Sequence, residues 1–410
     1  MEKSVGQAVK SGVAHLSTED DFLDGRQIKL DGKSCINFGS CSYLGLELDP
    51  RMKNAAIEAV NKFGTQFSSS RAYVSLGLYE ELEHYLEQMF EAPVIVSAST
   101  TLGHLSTIPV IVGDNDAVIL DHQVHASVNM ACQTLRGKGV HIELVRHNNM
   151  EMLEARINKL KSKYDKIWYM ADGVYSMYGD FAPMAELGEL LDQYEQLHLY
   201  VDDAHGIGWK GEYGTGHVRS IIPKHERLYL AGSMAKSFGA SGGILVFPNQ
   251  EIKQRVRTCG GTMIFSGPLQ PATIASAIAS AQIHLSDELP QLQGELEDKI
   301  QYFNQAAQEK GITVMDPSIS PIRFIHVGIP EVTYNLAARL KAMGLYVNIA
   351  VYPSVPYKKS GMRITLTNHL SKLDIHLLLE AIVDQMPMAQ QEERVKSLTQ
   401  KHQLEKVYMS

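Results

Sequence analysis

The sequence predicts an α/β fold: a large domain on a mainly parallel, seven-stranded sheet, plus a smaller α+β domain toward the C-terminus. Three observations predict it. Between about residues 94 and 247, short apolar runs alternate with helical patterns. Most of those runs are apolar at every position, as in strands covered on both faces. At 410 residues, the chain is too long for one small core and fits two domains around a shared cleft.

The strands read, in order, as VIVS (94–97), AVILD (117–121), HIELV (141–145), KIWYMAD (166–172), LHLYVDD (197–203), RLYLAG (227–232) and GGILVF (242–247). Helical stretches such as 150–162 and 184–195 lie between several of them. That alternation implies a mainly parallel sheet with right-handed crossovers. Residues 268–310 read as long helical structure bridging to the second domain. That domain holds IRFIHVG (322–328), a helix near 333–343, LYVNIAV (345–351), MRITLT (362–367) and a helix opening at Ser371. Ser371 and Asp374 have capping-box spacing. The expected organisation is an N-terminal segment 1–45, a large domain 46–280, a small domain 281–390 and a polar tail 391–410, the tail being a surface helix or a frayed end.

Composition narrows the function. Hydrophobic residues make up 44% and charged residues 20%, ordinary for a soluble globular protein. A formal net charge of −8 argues against general affinity for nucleic-acid phosphates or anionic membranes. The first twenty residues lack an apolar signal core, and no apolar run approaches the ~20 residues of a membrane helix. A cytoplasmic protein is expected. The four cysteines form no CxxC pair and read as free thiols in a reducing compartment. There is no Walker A loop, no HExxH and no GxGxxG after a strand. His122 and His125 are close in sequence, but no acidic or cysteine cluster completes a metal site, so none is expected.

Ligands of open parallel sheets sit at the carboxyl ends of the strands. LHLYVDD runs into AHGIG, so two acids follow an apolar strand and need partners. Asp202 falls at the last inward position, with His205 on the turn. A carboxylate there can hold a pyridine nitrogen protonated, which makes the ring a better electron sink; the plain alternative is a solvated strand end. RLYLAG ends in SMAKSFGASGG, which puts Lys236 among small residues just past a buried strand. A partly buried lysine has a depressed pKa and can attack an aldehyde, and the glycines let backbone approach a ligand. The plain alternative is a snorkelling surface lysine. KIWYMAD leads into GVYSMYGDFAPM, with Ser176 in a tight turn and Pro183 where a helix can start. AVILD leads into HQVHAS, with His125 near a helix start, a place where a lone histidine is usually structural. VIVS leads into ASTTLGH, where Ser99, Thr100 and Thr101 open a helix whose amides and hydroxyls can bind phosphate.

Taken in order, NFGSCSYLGL (37–46), GTQFSSSRAYVSLG (64–77), DHQVHAS (121–127), DGVYSMYGDFAPM (172–184), VDDAHGIGWKGEYGTG (201–216), GSMAKSFGASGG (232–243) and MRITLT (362–367) resemble the α-oxoamine synthase family of fold-type-I pyridoxal-phosphate enzymes. The resemblance covers roughly residues 35–385 and is most specific over 172–243. It implies pyridoxal 5'-phosphate as cofactor and the large domain as its binding unit. By resemblance, Lys236 is the covalent anchor and later the base, Asp202 pairs with the pyridine nitrogen, and His205 bonds the phenolic oxygen. His125 stacks on the ring and Ser176 lies near its phenolic edge. Thr100, Thr101 and Ser233 hold the phosphate, with Ser266 of IFSGP donated by the partner subunit of a homodimer. Arg363 grips the amino acid's carboxylate, for which a bidentate guanidinium is well suited. Thr101 stands where the family often has an aromatic residue. Cys41 stands near the substrate carboxylate, where asparagine is common and some sphingolipid-type members have tyrosine. FSSSR carries serines where many members are richer in glycine.

The implied reaction is decarboxylative condensation of an acyl thioester, carried by CoA or acyl carrier protein, with an amino acid. Its products are an α-amino ketone, carbon dioxide and free thiol. Two alternatives stand beside it: an aminotransferase or other pyridoxal-phosphate enzyme on the same fold, and a non-catalytic partner subunit. The resemblance leaves the amino acid and the acyl chain open.

Overall fold

Successive residues of a strand point to opposite faces, so a run that is apolar throughout needs cover on both sides. The computed structural model, which describes residues 2–408, shows that cover. Its strands are β1 (Gln27–Leu30), β2 (Lys33–Phe38), β3 (Val94–Ser97), β4 (Ala117–Asp121), β5 (His141–Val145), β6 (Ile167–Asp172), β7 (Leu197–Asp202), β8 (Leu228–Ser233), β9 (Gly243–Val246), β10 (Ile322–Gly328), β11 (Leu345–Ala350) and β12 (Ser360–Thr365). In β6, Ile167, Tyr169 and Ala171 enter one core and Trp168 and Met170 the other. In β7, Leu199 and Val201 enter the first core while Tyr200 enters the second.

The chain divides into two compact units. One comprises Leu44–Ser176 and Asp180–Gln293. It carries a seven-stranded sheet of order β3-β9-β8-β7-β6-β4-β5. β5, β4, β6, β7 and β8 pair in parallel. β9 runs antiparallel to both β3 and β8. The mainly parallel sheet expected from the hydrophobic pattern is the one observed. The long helical stretch expected over 268–310 is two helices, Pro271–His284 and Leu289–Glu309. Leu285–Glu288 interrupts it, and the Ser286 side chain bonds the Ile283 carbonyl there.

The other unit comprises Met1–Tyr43, Met177–Gly179 and the chain from Gly294 onward. Residues 1–43 therefore group with the C-terminal region, whereas the sequence reading set 1–45 apart. The reason is a sheet of order β1-β2-β11-β12-β10, in which β2 pairs in parallel with β11. The Ser371–Asp374 capping box forms: the Asp374 N–H donates to Ser371 Oγ at 3.2 Å, and Asp374 Oδ2 accepts from the Ser371 N–H at 2.8 Å. The helix it opens, Lys372–Tyr408, runs on through the stretch read as a polar tail. Among the described residues, no helix is long and apolar enough to cross a membrane.

One charged cluster fixes the loops at the carboxyl edge of the seven-stranded sheet. His147 donates from Nδ1 to Asp121 at 2.9 Å and from Nε2 to Asp180 at 2.7 Å. Burial lowers the His147 pKa, but the bonds and charges of the two carboxylates outweigh it and raise the value to about 9. A folded-state pKa above the unfolded one stabilises fully below about pH 6.5, and the gain is lost as pH rises through about 9. Its size is on the order of 2–3 kcal/mol. His147→Gln is therefore expected to lower the melting temperature at pH 7, with the gap to wild type closing above about pH 9. A gap independent of pH in thermal melts would contradict the charged clamp.

Candidate active site

A cavity of about 240 Å³ opens in the larger unit, where Asp172, Asp202, Ser233 and Lys236 meet His125, His205 and the helix start at Ser99, Thr100 and Thr101. These residues come from the carboxyl ends of β3, β4, β6, β7 and β8 and from the loops that follow, as the strand-end rule requires. Ser176, half-buried on the loop after β6, and Ser266 lie outside this lining. Ser266 donates to the Gly267 carbonyl at 3.3 Å.

Asp202 is 5% exposed and fully engaged. Oδ1 accepts from the Ala204 N–H at 3.0 Å, and Oδ2 lies 2.9 Å from His104 Nε2. Burial raises its pKa, but His104, followed by Lys236 and His125, outweighs burial and brings it down to about 2. Its neighbour across the sheet is Asp172, in register with it on β6. Two carboxyls this close cannot both ionise cheaply. Burial first, then the Asp202 charge, pushes Asp172 well above the carboxylate range. Asp172 accepts from the His125 N–H at 2.9 Å and so fixes the start of the Ala126–Arg136 helix.

The second acid of the VDD run points the other way, as strand alternation demands. Asp203 is fully buried and accepts from the Val218 N–H at 2.9 Å. Burial, with the Asp202 charge adding, raises its pKa to about 8, which makes it a neutral acid at pH 7. The burial cost of two consecutive aspartates is thus met by ionising one and protonating the other.

Lys236 is half-buried on the turn after β8. The turn is held by main chain: the Met234 N–H bonds the Gly242 carbonyl and the Gly239 N–H bonds the Lys236 carbonyl, both at 2.9 Å. Gly242 has φ +113°, where a side chain is strained. At Gly243 a Cβ would come within 2.7 Å of the Thr100 amide. The glycines thus let β9 approach the N-terminus of the Thr100–Ile111 helix. Ser99 caps that helix, accepting from the Leu102 N–H at 3.2 Å. The Thr100 hydroxyl donates to the Gly232 carbonyl at 2.9 Å. Ser233 Oγ accepts from the Ala235 N–H at 3.2 Å. His125 caps the Ala126–Arg136 helix, and its Nδ1 sits 2.6 Å from the Ser127 hydroxyl. Desolvation lowers the His125 pKa; Asp202 opposes this, and Lys236 and His104 reinforce it.

Arg363 and Cys41 belong to the other unit, where the structure joins them across 322 positions of sequence: the guanidinium donates to Cys41 Sγ at 3.7 Å. Arg363 sits mid-strand in β12, opposite Phe324 of β10 and Asn348 of β11. Burial lowers its pKa, but Tyr43 and Cys41 more than offset it, so the net shift is upward and the group stays charged.

Sequence reasoning missed His104 and Asp172. Signals existed for both. His104 follows Thr100 by four residues on one helix and so shares its face. Asp172 ends an apolar strand just as Asp202 does.

The donor set fits pyridoxal 5'-phosphate. One cavity offers an amine for an aldehyde, an ionised carboxylate for a pyridinium nitrogen, and a helix N-terminus with hydroxyls for a phosphate.

Comparison with known proteins points the same way. A family model described as aminotransferase class I and II matches residues 33–382. The 8-amino-7-oxononanoate synthase of Thermoanaerobacter pseudethanolicus is 31% identical over 384 residues, 93% of this chain and 95% of that protein. The serine palmitoyltransferase of Sphingobacterium spiritivorum is 32% identical over 343 residues, 83% of this chain and 84% of that protein. A solved structure of SPT with PLP superposes with a TM-score of 0.87 at 25% identity, covering 94% of this chain and 96% of that one.

Proposed function

The chain belongs to the class I and II aminotransferase family, in its α-oxoamine synthase branch, and from that premise we propose how its cavity condenses an acyl thioester with an amino acid. The observation that carries the reading is the meeting of Lys236, Asp202 and the Ser99–Thr101 helix start in one cavity. When bound, pyridoxal phosphate supplies an electron sink for charge developing at the amino acid's α-carbon.

The protein's own groups do the rest. Lys236 Nζ would anchor the cofactor and would serve as the base for the substrate's α-proton. Asp202, kept anionic, holds the proton on the ring nitrogen. The helix start and Ser233 bind the phosphate. His205, with Ser176 on the loop after β6, would hold the cofactor's phenolic edge, and His125 at the cavity would cover its ring. Arg363 grips the substrate carboxylate, whose loss as carbon dioxide follows attack on the thioester. Cys41 Sγ, in contact with that guanidinium, lies beside the carboxylate subsite.

We assign a homodimer in which Ser266 serves the partner's phosphate. Phe265 and Tyr73 are 88% and 86% exposed, and the Ser70 hydroxyl ties their two segments together by bonding the Ile264 carbonyl at 2.6 Å. Large exposed aromatics at a shared patch mark an association surface. A cytoplasmic location fits the free thiols.

The test is to load the purified protein with pyridoxal phosphate and titrate a panel of amino acids. Acyl-CoA or acyl carrier protein thioesters are then added, and free thiol is measured. The expected result is thiol release that depends on one class of amino acid, from a protein with twice the subunit mass by light scattering. Keto-acid formation without thiol release would instead assign an aminotransferase.

A further inference from the structure

Bonded to Asp202, but outside the cavity lining, lies a group that the reaction scheme does not use. Tyr200 and Asp202 are two apart on β7 and share a face. The Thr100–Ile111 helix covers that face and inserts His104 between them. The imidazole is fully buried, with Nδ1 2.7 Å from the Tyr200 hydroxyl and Nε2 2.9 Å from Asp202 Oδ2. We propose that His104 is a positioning residue that holds Asp202 ionised and oriented toward the cofactor's ring nitrogen, and thereby sets cofactor affinity and the protonation state of the bound ring. This rests on the pyridoxal-phosphate reading of the cavity.

The argument is one of satisfiability. An ionised carboxylate only accepts, so Nε2 carries the hydrogen toward Asp202. Nδ1 then either accepts from the Tyr200 hydroxyl or, in the imidazolium, donates to it. The phenol can play both roles, so the His104–Tyr200 bond is kept whichever of the two carries the shared hydrogen. The other groups acting on Asp202 are Lys236, His125, Asp172 and Asp203. Lys236 and His125 are groups that cofactor and substrate engage. Of the three groups that favour the Asp202 charge, His104 alone lies outside the cavity lining, so its support does not depend on Lys236.

His104→Leu in the full-length protein tests this. Cofactor affinity is read by absorbance titration, and the pH dependence of the bound cofactor's visible spectrum is recorded. A hydrogen bond to a charged group implies a loss of affinity of about 10- to 100-fold, together with a spectral transition displaced toward neutral pH. His104→Gln, whose amide N–H can reach the same carboxylate oxygen, is expected to recover most of both. A folded His104→Leu with wild-type affinity and wild-type pH profile overturns the proposal. If His104→Leu does not fold, Tyr200→Phe carries the test. A displaced pH profile in Tyr200→Phe supports the proposal, and a wild-type profile and affinity there overturn it. Wild-type protein that takes up no pyridoxal phosphate overturns the functional reading and this inference together. Normal uptake with insensitive His104 variants overturns this inference alone.

Discussion

Lys236→Ala is expected to lose turnover by at least about 10⁴-fold, together with the visible absorbance of a lysine-bound cofactor. Removing a general base alone costs roughly 10²- to 10⁴-fold, and this variant also loses the covalent anchor. The inactivity should come without unfolding. Lys236 is half-buried, and its turn is closed by main-chain bonds from Met234, Gly239 and Ala240. Truncating the side chain leaves those bonds in place, so stability should move by no more than about 1 kcal/mol. A small primary amine supplied in solution should restore part of the base function. The measurements are kcat by thiol release, the visible spectrum and a thermal melt. An alanine variant that turns over at the wild-type rate would remove Lys236 from the chemistry.

Asp202→Asn is expected to lower kcat by about 100- to 1000-fold, the scale of one preorganised charge-stabilising group. The amide is nearly isosteric but neutral, so it cannot hold the ring nitrogen's proton. The local structure should survive, for a reason visible in the partners. The carboxylate accepts from both the Ala204 N–H and His104 Nε2, whereas an amide can accept at only one of the two positions. His104 can answer by moving its proton to Nδ1, which then donates to the Tyr200 hydroxyl 2.7 Å away. Nε2 is left to accept from the new amide. The loss should therefore be one of rate and not of fold. Removing the Asp202 charge also relieves Asp172, whose pKa that charge helps to raise. The pH–rate profile of Asp202→Asn should show a new group titrating lower than Asp172 does in the wild type. A variant with unchanged kcat would show that the carboxylate is not the ring's counter-charge.

Local residue pattern specified the strands of the seven-stranded sheet and the polar groups at its carboxyl edge. All seven strands of that sheet begin and end within about a residue of the apolar runs; six are buried on both faces and write that burial continuously into local sequence, while β5, at the sheet edge, is half-exposed. Lys236, Asp202, His205, His125 and the Ser99–Thr101 turn were legible for a related reason. A polar or charged residue immediately after such a run lies at the carboxyl edge of the sheet, whatever its neighbours are. Local pattern does not name partners, and those were decided by tertiary structure alone. β1 and β2 are short, half-exposed strands whose sheet is completed by β11, some 300 positions away. Cys41 meets Arg363 across a similar span. His104 looks like any histidine in a helix until the helix is laid across β7 and the imidazole falls between Tyr200 and Asp202. Which of the aspartates at 172, 202 and 203 carries the charge follows from burial and mutual repulsion once the chain is folded. Neither exists before the strands lie side by side.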